Sequence, residues 1–138
     1  MHDTQVIDHA ILEGLRRELG ANFSRILGYF REDAPKSIVA IEDAVRGRSA
    51  VALVRPAHTL KGESLQFGAI RLADMAQKIE QCARQAVEDH VFPAEVIECV
   101  IQLRPLFDEA LKLLLLESAP ATAARRVGGF GRRVGTAF

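Results

Sequence analysis

The stretch "AHTLKGES", residues 57 to 64, carries a histidine, a lysine three residues on and a glycine after that. Imidazole is a nucleophile and a proton carrier near neutral pH, so a histidine held rigidly at a surface can accept a transferred group. On a helix, Lys61 lies on the same face as His58, where its ammonium can meet an anion carried by the ring. Gly62 costs a helix interior roughly 1 kcal/mol relative to alanine. In return it clears the surface one turn beyond the histidine. Taken singly, each residue has an ordinary reading. His-x-x-Lys is usually a solvated face, and a glycine often serves only close helix contact.

The surrounding pattern decides which way these side chains point. Leu53, Ala57, Leu60, Ser64 and Phe67 recur at helical spacing and define an inward face for a helix over about 50 to 66, with Ser49 as N-cap. Arg55, His58, Gly62 and Gln66 then fall on the outward side. Gly68 and Ala69 reverse the chain, and the next helix runs from about 70 to 90, with Leu72, Met75, Ile79, Cys82, Ala83 and Ala86 inward. Position 58 therefore lies opposite roughly 78 to 80, and Glu80 can approach the ring. A carboxylate that accepts the Nδ1 proton leaves the Nε2 lone pair available. Gln77, one turn earlier, can do similar work.

The rest of the chain is also helical in period, and no stretch alternates as a strand. Asp8 caps a short helix over about 9 to 18, ended by Gly20. Phe23, Ile26, Leu27, Phe30, Ala34, Ile38, Ile41 and Val45 keep phase through Pro35, which predicts one helix with a kink there. A last helix over about 94 to 117 would bury Ile97, Val100, Ile101, Phe107, Leu111 and Leu114, with a bend at Pro105. Short connections between long helices force antiparallel neighbours. The expected fold is all-α: an up-down antiparallel four-helix bundle over residues 1–118, with a short extra N-terminal helix and a flexible tail over 119–138.

Composition narrows the function classes. The chain has 138 residues, 49% of them hydrophobic, which suits one domain with its own core. Net charge is zero, but Arg125, Arg126, Arg132 and Arg133 all lie in the tail, which has no acid. The first 118 residues therefore hold 14 basic against 18 acidic side chains, a net charge of −4. An acidic body argues against a nucleic-acid-binding core. Cys82 and Cys99 read as core thiols in a reducing compartment. The N-terminus has no signal-peptide pattern, and "LKLLLL" at 111 to 116 is too short to span a bilayer. These features predict a cytoplasmic protein. His2, His9 and His90 have no partners at metal spacing, so no metal site is expected. Ser64 faces inward without a base, which disfavours hydrolase chemistry.

The segment "AHTLKGESLQFGAIRLADMAQKIEQCAR" resembles the signature of histidine-containing phosphotransfer (HPt) domains of bacterial two-component relays. The shared features are His-x-Leu-Lys-Gly, then Ser64, the Gly68–Ala69 turn, Leu72 and Glu80. Upstream, "YFREDAPKSIVAIEDAV" is similar to the helix that precedes this signature, and the similarity covers about residues 8 to 116. The resemblance implies a carrier of phosphate. His58 would take the phosphoryl group on Nε2, Lys61 would offset its charge, and Gly62 would leave clearance for a docking receiver domain. Three positions depart from the commoner pattern. Glu63 stands where a small or polar residue is frequent, adding charge beside the site, and Pro56 removes a backbone donor two residues before His58. Glu80 stands where some relatives have glutamine, which is similar to the phosphotransfer domain of chemotaxis kinases.

The chain has no phosphate-binding loop of the G-x-x-x-x-G-K-[ST] type, so Mg²⁺ and the acidic pocket for phosphoryl transfer are expected on the partner receiver domain, with no cofactor here. The implied partners are a response-regulator receiver domain and a histidine kinase, hybrid kinases included, with a monomeric shuttle as the simplest state. The docking face is expected to centre on His58, with Arg55, Gly62, Leu65, Gln66, Gln77 and Gln81 around it and the first helix at one edge. Two other readings stay open. One is a docking module that is not phosphorylated, and the other is an HPt piece of a larger hybrid or chemotaxis-type kinase. Attachment to DNA or a membrane through the tail predicts salt-sensitive binding lost on deleting 119–138.

Overall fold

The computed structural model describes residues 5–118. The expected tail, 119–138, lies outside the described residues, as do any contacts it makes. Asp8 opens helix α1 (His9–Leu19), its Oδ1 accepting from the Ala10 and Ile11 amides at 3.0 and 3.2 Å. A single 3-10 turn, Gly20–Asn22, leads into α2 (Phe23–Arg46). Helix α2 runs on through Pro35 and buries Phe23, Leu27, Phe30, Ala34, Ile38, Ile41 and Ala44. Ser49 caps α3 (Ala50–Gln66), accepting from the Ala52 amide at 3.1 Å. Helix α4 (Ile70–Asp89) returns alongside α3, and the chain closes with α5 (Val96–Val100) and α6 (Leu103–Ser118).

The fold is an all-α, antiparallel four-helix bundle of α2, α3, α4 and the α5–α6 segment, with α1 as the short extra helix. Four phenylalanines tie the elements together. Phe67 stands 6.1 Å from Phe23 and 5.1 Å from Phe30, and Phe30 stands 5.5 Å from Phe107, measured between ring centroids. Edge-on and tilted contacts at these distances are the favoured aromatic arrangements. Among the described residues, no helix is long and apolar enough to cross a membrane.

One expected element is corrected. A single helix over 94 to 117 does not form, because α5 ends at Val100 and α6 starts at Leu103. Pro105 explains the division. It lies in the first turn of α6, where a missing amide hydrogen costs nothing, so the proline starts a helix and does not bend one. The break also changes the buried face. Ile97 and Ile101, expected inward, are 38% and 67% exposed, while Val96, Val100, Leu103, Leu106 and Ala110 are buried. Met75 and Cys82 are half-buried at the edge of the core.

The turn between α3 and α4 fixes their register. Gly68 has φ +74, and a Cβ there would stand 2.7 Å from the Asp8 carbonyl oxygen. Only glycine meets both conditions. The close approach arises because the N-terminal segment is laced to the turn: the Asp8 amide donates to Gly68 O at 2.6 Å, and the Ile70 amide to Val6 O at 3.1 Å. Ser64, inward as expected, donates its hydroxyl proton to Leu60 O at 2.7 Å and takes no part in surface chemistry.

Candidate functional site

The α3–α4 hairpin brings His58 and Glu80 together. His58 Nδ1 lies 3.0 Å from Glu80 Oε2, with the histidine side chain 62% exposed and the glutamate 6% exposed. Helix α4 presents Glu80 on the flank of its buried face, one residue after fully buried Ile79, so the carboxylate reaches the ring from beneath. Its two oxygens divide the surrounding cations. Lys61 Nζ stands 3.0 Å from Oε1, and Arg84 contacts Oε2 through Nε and a terminal nitrogen at 3.0 and 2.8 Å.

Burial alone would raise the Glu80 pKa, but the hydrogen bonds from Lys61, Arg84 and His58 overcome it and hold the group down to about 2. Glu80 is therefore a carboxylate, an acceptor only, at any physiological pH. For the 3.0 Å contact to be a hydrogen bond, Nδ1 must carry the proton. In the neutral ring that leaves the Nε2 lone pair as the nucleophile, on an exposed side chain fixed by a buried anchor.

This depressed pKa sets a pH dependence of stability. A carboxylate whose folded pKa lies below its unfolded value stabilises the fold above the unfolded value, and that contribution is lost as pH falls through the folded one. The window runs from about 4.5 down to about 2. Its expected size is on the order of 1 kcal/mol, because His58 and Arg84 keep much of their hydration. Urea unfolding from pH 6 to pH 2 should show wild type losing this increment relative to Glu80→Gln. Parallel curves for the two proteins would mean that Glu80 is not ionised against these cations.

The other expected residues are placed as follows. Arg55, Gly62, Leu65 and Gln66 on α3, with Gln77 and Gln81 on α4, are exposed. Gln77 is not hydrogen-bonded to the ring; Glu80 holds that position. A Cβ at Gly62 would meet nothing within 4 Å, so no part of the described chain needs the space the glycine leaves. Lys61 is 23% exposed and pairs with Glu80. Its ammonium is thus tethered within a side chain's length of anything bound to His58. Sequence reasoning missed Arg84. The signal was available, since a residue four beyond Glu80 on the same helix shares its face.

Comparison with known proteins gives this geometry a family. The Hpt domain family model matches residues 25–117. The chain belongs to the Hpt domain family. Hpt domains take part in phosphorelays as histidine phosphotransfer modules, interacting with receiver domains and kinases. Among solved structures, this Hpt domain is similar to the histidine-containing phosphotransfer protein B (HptB) from Pseudomonas aeruginosa PAO1. The TM-score is 0.73 at 23% identity, covering 83% of this chain and 96% of that one. At that identity the likeness concerns the fold. No curated protein sequence matches the chain.

Proposed function

We propose that this Hpt domain relays a phosphoryl group between receiver-domain aspartates, with His58 Nε2 as the acceptor. The carrying observation is the exposed imidazole whose Nδ1 sits 3.0 Å from the buried carboxylate of Glu80. In the loading step, Nε2 attacks the phosphorus of an aspartyl phosphate on the receiver. The N–P bond forms as the O–P bond breaks, and the receiver's carboxylate leaves. The ring, now carrying phosphorus on Nε2 and a proton on Nδ1, is positively charged, and Glu80 stabilises it. Lys61 swings from Glu80 towards the phosphoryl oxygens. The receiver supplies Mg²⁺, and in-line geometry comes from docking. Unloading reverses each step.

Gly62 supports this reading, since the clearance it leaves serves nothing inside the described chain. Arg55, Leu65, Gln66, Gln77 and Gln81 ring the same face and form the proposed contact area. A monomer suffices, because the nucleophile and its anchor come from one hairpin.

The test is transfer from a panel of phosphorylated receiver domains, free-standing and from hybrid kinases, followed by mapping of the label. Acid-labile, alkali-stable label on the peptide containing His58 is expected. Acid-stable label on Thr59 or Ser64 would overturn the assignment. Absence of label from every receiver, with binding retained, would favour a docking module.

A further inference from the structure

Beside the His58 platform, α2 and the end of α3 enclose a cleft of about 280 Å³ lined by Ile26, Tyr29, Phe30, Asp33, Glu63, Gln66 and Phe67. Its floor is apolar and its rim carries two carboxylates. Glu63 is half-buried, and among the described residues its hydrogen-bond partner is the Ser37 hydroxyl at a long 3.5 Å. Burial first, and the charge of Asp33 second, push its pKa above the ordinary carboxylate value, with Ser37 opposing weakly. Asp33 is 53% exposed and meets Lys36 only at 3.9 Å on the outer side. A second cation, Arg25, contacts Tyr29 OH on the cleft wall and Asn22 Oδ1, each at 3.2 Å, and forms no ion pair with either acid. The cleft thus holds negative charge that the described chain leaves poorly compensated.

Its position places it at the margin of the face on which a partner docks. Gln66 belongs both to the cleft and to the exposed face of α3, and Glu63 lies five residues beyond His58, roughly 7.5 Å along the helix axis and about 140° around it, on the flank that meets Ser37 of α2. A partner footprint of about 800 Å² centred on His58 has a radius of roughly 16 Å, enough to reach the Gln66 edge of the cleft.

Resting on the phosphotransfer reading of His58, we propose that this acidic-rimmed cleft receives a lysine or arginine side chain from the docking receiver domain and selects among receivers by it. A long basic side chain fits both halves of the site. Its methylene stem covers the Ile26, Phe30 and Phe67 floor, and its charged head reaches Asp33 and Glu63. The incoming cation also relieves the like-charge repulsion between the two acids, so binding gains where folding loses. A small residue at position 63 would leave an apolar cleft without this preference.

The experiment measures affinity and transfer for the receiver panel with wild type, Glu63→Gln and Glu63→Lys. For the receivers that wild type uses best, Glu63→Gln should weaken binding about tenfold and Glu63→Lys about a hundredfold, with KM rising and kcat nearly unchanged. The affinity of Glu63→Gln should also depend less on salt. Its melting temperature should hold or rise, because a neutral group no longer resists burial; a merely structural glutamate would behave in the opposite way. Lys→Glu or Arg→Glu on the receiver should restore binding to Glu63→Lys. Wild-type affinity in Glu63→Lys would overturn the cleft proposal and leave the phosphotransfer reading standing, as would tighter binding by Glu63→Leu, which would indicate an apolar occupant. If wild type accepts phosphate from no receiver, the reading of His58 falls and takes the cleft proposal with it.

Discussion

His58→Gln should reduce phosphoryl acceptance by about a thousandfold or more while leaving the fold nearly as stable as wild type. The two halves of that expectation have separate causes. Transfer stops because an amide nitrogen has no lone pair available for attack on phosphorus, and no neighbour supplies one: Ser64 is buried and donates to Leu60 O. Stability holds because the histidine side chain is 62% exposed, and Glu80 keeps Lys61 and Arg84 after the ring is gone. The unfolding free energy should therefore move by no more than about 0.5 kcal/mol. Circular dichroism and denaturant melts check the second half, and the receiver-panel assay checks the first. Label retained at more than a tenth of the wild-type level would place the acceptor elsewhere.

Gly62 gives the complementary result. Since a Cβ there meets nothing within 4 Å, Gly62→Ala should stabilise the protein by about 0.5–1 kcal/mol through helix propensity alone. Gly62→Gln should likewise fold well but slow transfer, because its side chain projects over the face where the receiver must approach. A variant that is more stable and less active separates clearance from structure. Wild-type transfer by Gly62→Gln would show that the open surface at 62 is not used.

The sequence made the His58 hairpin legible because reversal at Gly68–Ala69 leaves little freedom in register. Counting outward from that turn puts residue 58 opposite 78 to 80, and Glu80 is the residue on the ring. The burial of Glu80 was harder to read. A charged residue beside Ile79 on an amphipathic helix looks like surface, and only the convergence of Lys61, Arg84 and His58 makes a carboxylate stable there. The lacing of Val6 and Asp8 to the Gly68 turn was invisible for a different reason. Those hydrogen bonds are between backbone groups, which carry no side-chain signature. The division of the last helix was misread because proline has the same local chemistry at a bend and at a start. Which one it makes depends on whether the preceding residues stay in helical phase with the core, and at Ile101 and Gln102 they do not.

Phe67→Ala should be the most destabilising single change at the turn, by about 3–5 kcal/mol, or roughly 10–20 °C in melting temperature. Phe67 is 1% exposed and caps α3, and its ring lies against both Phe23 and Phe30 of α2. Truncation opens a cavity among rings that cannot collapse, because Phe30 is itself held at 5.5 Å by Phe107 and Gly68 is pinned by Asp8. Phe67→Leu refills part of that space and should cost clearly less. The consequence for function differs from that of His58→Gln. Well below its melting temperature Phe67→Ala still has the Glu80–His58 contact, which lies about two turns away from the cavity, so transfer should run within about threefold of wild type. Near 37 °C activity should fall in step with the folded fraction. A loss of transfer in the fully folded variant would show that the turn holds the hairpin's register tightly enough for a missing ring to displace His58 from its anchor.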